Sequence, residues 1–317
     1  MSWRRLTVLT ILVAGLAVAA PVRATAALPV RVMSWNVCGN VVSPPAGTCL
    51  NTRSTTAIAN GIWQQMAANG MTTGTSVKVL LLQETCYADV ERMRSLSEFS
   101  GWSFGFIGIL DGSTKRDCHP DRSTGAARGQ FGIVVGVNRS ATFTRYHYNA
   151  YPEGDNGYGD TDTRQGLVCA TVSAVSLTTC STHLTPTPTG TALAETGHPT
   201  SYFRNIELEQ AKGIPYRIGT SGRLIAGGDL NAEPPDSTDG KAISPNPIVP
   251  LYNAYHECDQ TRYGARDGHG TFQYQDGRLG KLDYVFATRS AVSSCTVTDQ
   301  TVTASDHRPV AATITFA

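Results

Sequence analysis

Two apolar runs that end abruptly in polar groups restrict this chain more than any other feature. Val77 to Gln83 is apolar almost without interruption and stops at Glu84. A strand that does not alternate is buried on both faces, so it requires layers above and below it. Leu224 to Ala226 repeats the pattern on a shorter scale, running through Gly227 and Gly228 into Asp229, Asn231 and Glu233. In extended chain, residues two apart lie on the same side, so Asp229 and Asn231 face together. Two glycines leave space for a close approach to the main chain. Taken alone, this stretch reads equally well as a strand followed by an Asx turn. A charge at the end of a buried strand must be solvated, paired or bound to a cation.

The remaining chain supplies more strands of this type. Leu28 to Asn36 reads as a strand ending in Asn36, and Thr52 to Asn69 as a helix with Ile58, Ile62 and Met66 on one stripe. Tyr87 to Leu96 is expected to be a short helix, and Trp102 to Leu110 and Phe131 to Val137 strands. Between them, Asp111 to Gln130 carries Lys115, Arg116, Arg122 and Arg128 and reads as a basic loop, either a solvated surface or a binding element. Tyr146 to Asp162 places Tyr146, Tyr148, Tyr151 and Tyr158 in polar chain, where they contact a ligand or cover an edge. Gly166 to Val175 and Leu177 to Leu184 form a hairpin ending near His183. Tyr202 to Ile218 is a helix, Asn246 to Tyr255 a proline-interrupted helix or loop, and Lys281 to Thr288 a strand containing Asp283. Thr296 to Thr303 and Pro309 to Phe316 close the chain as strands, with Ala304 to Arg308 between them. Many strands with few helices between them suggest two mixed sheets packed face to face with helices outside, in a single domain over residues 27–317.

Residues 1–26 stand apart. Arg4 and Arg5 precede the apolar stretch Leu6 to Ala20, and Ala24-Thr25-Ala26 follows as a small-residue cleavage site. This is the pattern of a secretory signal peptide, and the polar sequence beyond it argues against a membrane anchor, so an extracellular protein is expected. The arginine pair does not decide between export routes. Beyond the leader lie all eight cysteines, Cys38, Cys49, Cys86, Cys118, Cys169, Cys180, Cys258 and Cys295. An even number behind a signal peptide reads as disulfides, and none of the spacings is that of a zinc site. Sequential pairing is the working hypothesis: 38–49, 86–118, 169–180 and 258–295. The 169–180 pair has the firmest basis, because both residues sit in neighbouring antiparallel strands. With 41% apolar residues the chain can bury a sizeable core, and its formal charge of +1 excludes a strongly basic nuclease but not a local basic patch.

The polar strand ends belong to one chemical kind: Asn36, Glu84, His183, Asp229 with Asn231, Asp283, and Asp306 with His307. Any one of them is ordinary, a turn residue or half of an ion pair. Together they supply hard oxygen donors suited to Mg²⁺, Ca²⁺ or Mn²⁺ and two imidazoles suited to proton transfer and to binding an oxyanion.

The motifs Ser-Trp-Asn at 34–36, Leu-Gln-Glu at 82–84, Ser-Thr-His-Leu at 181–184, Gly-Asp-Leu-Asn-Ala at 228–232, Leu-Asp-Tyr-Val-Phe at 282–286 and Ser-Asp-His-Arg-Pro-Val at 305–310 resemble, in order, those of the endonuclease/exonuclease/phosphatase superfamily. The resemblance implies a four-layered α/β sandwich that cleaves phosphate esters with a divalent cation, Mg²⁺ or Mn²⁺, with Ca²⁺ as a structural ion. It implies Glu84 as the main metal ligand, with Asn36 and Asp306 near the same cation. Asp229 would align or activate the attacking water, and Asn231 would hold that water or a phosphate oxygen. His307, steered by Asp283, would act as general base or phosphate clamp, and His183 would donate from the opposite side.

Within that superfamily the chain looks most like secreted pancreatic-type deoxyribonucleases. Tyr146-His147-Tyr148, Gly270-Thr271-Phe272-Gln273 and Arg164, which would contact phosphate, carry this likeness. Two departures weaken it. Gly129-Gln130 stands where that group has a glutamate steering the outer histidine, and Cys86 stands where it has an arginine that enters the minor groove. Nucleic acid is therefore the expected substrate of a monomeric enzyme. The alternatives are a sphingomyelinase- or phospholipase C-like esterase, which would need an exposed apolar hairpin (Phe104 to Leu110 is apolar enough but reads better as core), a phosphatase of soluble esters, and a non-catalytic binding protein on the same fold. Non-reducing peptide mapping is expected to join Cys169 to Cys180; a link from Cys169 to any other cysteine overturns the hairpin.

Overall fold

A computed structural model describes residues 27–40, 49, 54–149, 151–152, 162–187, 193–194, 196–237, 245–260, 265–274, 277–297 and 305–317. The leader at 1–26 and Tyr158 lie outside these residues. Twelve strands make two six-stranded sheets. They are β1 (Leu28–Asn36), β2 (Val77–Cys86), β3 (Ser103–Gly108), β4 (Phe131–Val137), β5 (Thr142–His147), β6 (Gly166–Val172), β7 (Leu177–His183), β8 (Arg223–Asp229), β9 (Tyr255–Glu257), β10 (Asp283–Thr288), β11 (Val292–Val297) and β12 (Val310–Phe316). The first sheet runs β11-β12-β1-β2-β4-β3 and the second β9-β10-β8-β7-β6-β5.

Side-chain alternation explains why the apolar runs are continuous. On β1, Val30 and Val32 point between the sheets, while Met33 and Trp35 point outward. On β2, Val79 and Leu81 face inward, and Leu80 and Leu82 outward. The inward set packs against Val168, Ala170, Ile225 and Val285 of the second sheet. The outward set of the first sheet packs on α1 (Thr55–Ala68) and α2 (Tyr87–Ser95) through Ile58, Ile62, Met66, Val90 and Met93. The second sheet turns Leu167, Ala226, Tyr284 and Phe286 to α3 (Thr200–Ile218) and α4 (Val249–Ala254). The result is helix, sheet, sheet, helix, the four-layered α/β sandwich expected from the sequence. Disulfides join Cys38 to Cys49, Cys86 to Cys118, Cys169 to Cys180 and Cys258 to Cys295.

Several local readings change. Gly227 and Gly228 admit neighbouring strands rather than a ligand. A Cβ on Gly227 would stand 2.3 Å from the Tyr284 carbonyl oxygen, and one on Gly228 (φ 146°) 1.8 Å from that of Thr182. Arg128 is no surface residue of a basic loop; it is 1% exposed and forms an ion pair with Asp89. Tyr148 is buried with its hydroxyl 2.9 Å from Thr182 Oγ1, so it covers sheet rather than ligand. The first closing strand begins earlier than read from the sequence, at Val292, with Cys295 opposite Ile314 and tied to Cys258; of the expected Thr296 to Thr303, residues 298–303 lie outside the described residues. Phe104, Ile107 and Ile109 are buried, as the reading of this stretch as core expects, so it is no membrane-entering hairpin.

A buried carboxyl on α3 gives the fold a pH signature. Glu207 is 2% exposed and accepts one hydrogen bond from the Thr187 hydroxyl at 2.6 Å. Burial, only partly offset by Thr187 and Arg204, pushes its pKa up to about 8. An unfolded glutamate titrates near 4.3, so between about pH 4.5 and 8 the folded state holds a proton that the unfolded state has lost, and stability falls as pH rises. Glu207→Gln abolishes this penalty. Its Tm is expected to match wild type near pH 5 and to exceed it by ~2–6 °C at pH 8, measured by calorimetry.

Candidate active site

Strand direction gathers the polar ends. β1 runs parallel to β2, and β12 runs antiparallel to β1, so Asn36, Glu84 and the Asp306-His307 segment preceding β12 reach one end of the first sheet. In the second sheet β7 and β8 are parallel with His183 opposite Asp229, and β10 is antiparallel with Asp283 opposite Asp229. Both ends lie on the same side of the sandwich.

The centre of the group is Asp229, 1% exposed. Its Oδ1 accepts a hydrogen bond from the Asn231 amide at 2.9 Å, so the Asx turn expected from the sequence is real and coexists with the site. Its Oδ2 accepts one from Asn36 Nδ2 at 3.0 Å and faces His183 Nε2 at 3.4 Å and His307 Nε2 at 3.7 Å. Asn36 Nδ2 also donates to Glu84 Oε1 at 2.9 Å, and the orientation of its amide is set by the Cys38 amide, which donates to Oδ1 at 3.0 Å. Asn231 sits at φ 51° and donates from Nδ2 to the Leu184 carbonyl at 2.9 Å. Glu84 is half-buried at φ 54°, where the register of β2 against β4 shifts between Leu82 and Thr85. Such a bulge re-aims a side chain, and a non-glycine residue in this conformation carries about 1–3 kcal/mol of strain.

His307 is held from all sides. Its Nδ1 lies 2.7 Å from Asp283 Oδ2, its amide donates to Ser305 Oγ at 3.1 Å, and its carbonyl accepts from Trp35 Nε1 at 3.0 Å. Ser305 Oγ donates in turn to the Asn36 carbonyl at 2.8 Å. Phe272 packs on the imidazole with ring centroids 4.8 Å apart. Thr271 Oγ1 accepts from the amides of Leu282 (2.9 Å) and Asp283 (3.0 Å), fixing the start of β10. The motifs contain Trp35 and Ser305, and Thr271 was noted for its likeness, yet sequence reasoning gave none of the three a positioning role. Their signal is a hydrogen-bonding side chain one or two residues from a site residue, or across a strand pair from one, which becomes meaningful only when the partner segment is known.

His183 differs. Its Nδ1 is buried and has no hydrogen-bond partner among the described residues. Gln130, at the position of the steering glutamate, donates instead to the Ile109 carbonyl at 3.2 Å. The departure seen in the sequence thus leaves the outer imidazole without a second tether. Arg164 is exposed, two residues before Gly166, which pairs with His183. Among the described residues it makes no hydrogen bond to the buried group, so the structure places it on the rim.

Charge within the cluster is strongly coupled. Burial pushes the Asp229 carboxyl up, but the imidazoles of His307 and His183 and the amide of Asn36 override it and hold it well below the usual carboxylate range. His307 is pushed up to about 10, because Asp283 and Asp229 outweigh the opposing effect of burial. His183 is also raised, by Asp229 and Glu84 against burial. Glu84 is raised by burial and by the Asp306 carboxylate, against His183 and Asn36. Among the described residues no Lys or Arg ion pair offsets Glu84. The carboxylates of Glu84 and Asp306 are hard oxygen donors that fit a divalent cation, with Asn36 beside them turning Nδ2 to Glu84 and Oδ1 to the Cys38 amide. Asp229, Asp283 and His307 also present atoms within 4.8 Å of one another, but there the imidazole already bonds Asp283 and faces Asp229. Cys38, Cys49 and Asp306 are equally close, but the two sulfurs share a disulfide and supply no thiolate.

Fold and site together define a two-sheet α/β sandwich with an acid–base cleft built from strand ends of both sheets. The chain belongs to the endonuclease/exonuclease/phosphatase family, whose sequence model matches residues 33–307; members hydrolyse phosphoester bonds. Solved structures show the same fold at low identity. The human Nocturnin catalytic domain with bound sulfate is 16% identical with a TM-score of 0.51, covering 92% of this chain and 94% of its own. A family protein from Bacteroides thetaiotaomicron is 14% identical with a TM-score of 0.53, covering 92% and 96%. An endonuclease/exonuclease/phosphatase from Beutenbergia cavernae is 18% identical with a TM-score of 0.52, covering 92% and 72%. No curated protein sequence compared with the chain matches it.

Thr271→Val leaves two buried amides unpartnered. It is expected to lower stability by about 1–3 kcal/mol in urea titrations and to raise the mobility of Asp283, so that phosphoesterase turnover falls about tenfold while substrate affinity changes less.

Proposed function

We propose that the protein is a secreted, divalent-cation-dependent phosphodiesterase whose substrate is nucleic acid. The observation that carries the reading is the placement of two imidazoles, His183 and His307, on Asp229 Oδ2 at 3.4 and 3.7 Å, beside the Asn36–Glu84 pair. A phosphodiester is anionic and repels a nucleophilic oxygen. A pocket that offers imidazolium donors next to an ionised carboxylate answers that difficulty.

Glu84 would be the main ligand of the cation, with Asp306 and Asn36 near it and Asn36 fixing the Glu84 carboxylate through Nδ2. When bound, Mg²⁺ or Mn²⁺ supplies Lewis-acid charge to a phosphoryl oxygen; Ca²⁺ fits the same hard donor chemistry as a structural ion. The chain's own groups then divide the work. Asp229, kept ionised, accepts a hydrogen bond from the attacking water, aligns it and takes its proton as the new P–O bond forms. His307, with Nδ1 held by Asp283 at 2.7 Å, presents Nε2 to a non-bridging oxygen as a clamp rather than as a base, since both neighbouring carboxylates favour its protonated form. His183 donates from the other side to the leaving oxygen, and Asn231 holds a phosphate oxygen. Acid–base groups of this kind contribute about 10²–10⁴-fold each.

Support for an anionic substrate comes from the exposed Arg164 on the rim and from the Nocturnin neighbour, whose structure holds a sulfate, a tetrahedral anion of phosphate shape. Four disulfides support export to an oxidising compartment, and among the described residues no helix is long and apolar enough to cross a membrane. We read residues 27–317 as one domain acting as a monomer.

Purified protein incubated with plasmid DNA, RNA, sphingomyelin vesicles and inositol phosphates is expected to cleave nucleic acid only with Mg²⁺ or Mn²⁺, and EDTA should stop the reaction. Cleavage should weaken steeply between 50 and 200 mM salt as phosphate contacts are screened. Glu84→Ala and His307→Ala should each lose at least about 10²-fold in kcat with unchanged circular dichroism. Turnover that survives both substitutions removes this site assignment, and cleavage of sphingomyelin alone removes the nucleic-acid substrate.

A further inference from the structure

We propose that Arg128 and Asp89 are positioning residues that set how Asn36 and Glu84 meet a divalent cation; this rests on the metal-dependent reading above. Neither residue touches the cleft. Arg128 is 1% exposed and Asp89 fully buried. Arg128 Nη2 reaches both oxygens of Asp89, at 3.0 and 2.8 Å, while Nη1 donates to the Gly39 carbonyl at 2.6 Å. Asp89 Oδ2 also accepts from the Cys86 amide at 2.9 Å. Gly39 lies just past Asn36, and Cys86 just past Glu84. One guanidinium–carboxylate pair therefore grips both chain segments as they leave the site.

The grip is tight at its narrowest point. The Gly39 amide donates to the Glu84 carbonyl at 3.0 Å, and a Cβ on Gly39 would stand 2.3 Å from that oxygen. Glu84 at φ 54° and Cys38 at φ 54° both occupy the left-handed region, which persists only where the surroundings over-determine it. The clamp supplies that constraint: Gly39 is held on one side of Glu84 and the Cys86 amide on the other. The Cys86–Cys118 disulfide and the bond from the Cys118 amide to the Gly129 carbonyl at 2.7 Å bring the Arg128 segment to the same place. A buried ion pair adds little net stability compared with apolar side chains of similar volume. What it provides is a planar fork, with Nη1 on the Gly39 carbonyl and Nη2 on the Asp89 carboxylate, that a single ammonium does not reproduce.

The test measures Mn²⁺ binding by isothermal titration calorimetry on the full protein, beside Tm and catalytic turnover. Wild type should bind Mn²⁺ and Glu84→Ala should not. Arg128→Lys and the double variant Asp89→Leu/Arg128→Met should keep four disulfides by mass, and each should bind Mn²⁺ about 10–100-fold more weakly, as for partners behind metal ligands generally. Turnover should fall in kcat at saturating Mn²⁺. The double variant leaves the Cys86 amide and the Gly39 carbonyl without these partners and should lower Tm by several degrees, so Mn²⁺ binding is compared well below both Tm values, where an unchanged circular dichroism spectrum separates loss of geometry from loss of fold. If the double variant does not fold, Arg128→Lys decides. Folded variants that bind Mn²⁺ as wild type does overturn the positioning role and leave the enzyme reading intact. A wild-type protein that takes up no Mn²⁺ overturns the metal-dependent reading itself.

Discussion

The hydrogen bond from Asn36 to Asp229, 3.0 Å long and buried, joins the last residue of a strand in one sheet to the last residue of a strand in the other. It forms only because the valine- and isoleucine-lined inner faces of the two sheets pack together and bring their polar ends level. The bond between His307 and Asp283 repeats the junction a few ångströms away. Gln83 donating to Ser181 at 3.1 Å makes a third polar link between the sheets beneath them. The cleft is thus a seam between two sheets rather than a feature of either, and anything that shifts one sheet on the other moves half of the site.

Building such a seam concentrates groups that folding alone would avoid. Glu84, Asp229 and Asp283 crowd together, and burial disfavours the charged form of each. Two imidazoles and an amide offset this within the site. Among the described residues, positive φ at non-glycine positions occurs in Cys38, Cys49, Glu84, Ser176 and Asn231, and three of these, Cys38, Glu84 and Asn231, are site residues or adjoin one. Local propensity is violated where function is placed, and the surrounding network, from Ser305 and Trp35 to Arg128 and Asp89, holds the violations in place.

Much of the architecture was legible because strands buried on both faces have a distinctive composition. Leu28 to Asn36 and Phe131 to Val137 appear as strands with the boundaries read from sequence, and the hairpin before His183 pairs Cys169 with Cys180. The readings that failed share one cause. Arg128 reads as a solvated or binding charge because it lies in a polar stretch, yet it is buried by a partner far away in the chain; of the two roles open to Tyr148, ligand contact or cover, the distant Thr182 selects the second. The start of the first closing strand, at Val292 rather than Thr296, depends on which residue of β12 it opposes. Gly227 and Gly228 were correctly seen to admit a close approach, but which group approaches them, a neighbouring carbonyl, is a long-range fact.

By itself the sequence determined the chemical inventory: hard oxygen donors, two imidazoles and an even set of cysteines, each attached to a strand end or its turn. It determined too that the strands needed covering on both sides, because apolar runs leave no face for water. Tertiary structure alone decided which of those groups meet. It set Asp229 between both imidazoles, at 3.4 and 3.7 Å, and turned an arginine of the basic loop inward as a clamp, whereas the His307–Asp283 pairing and the missing partner of His183 are already expected from the motifs. Periodicity and composition report what each residue prefers locally, whereas hydrogen-bond partners at distances near 3 Å depend on strand register and sheet packing, which are properties of the whole chain.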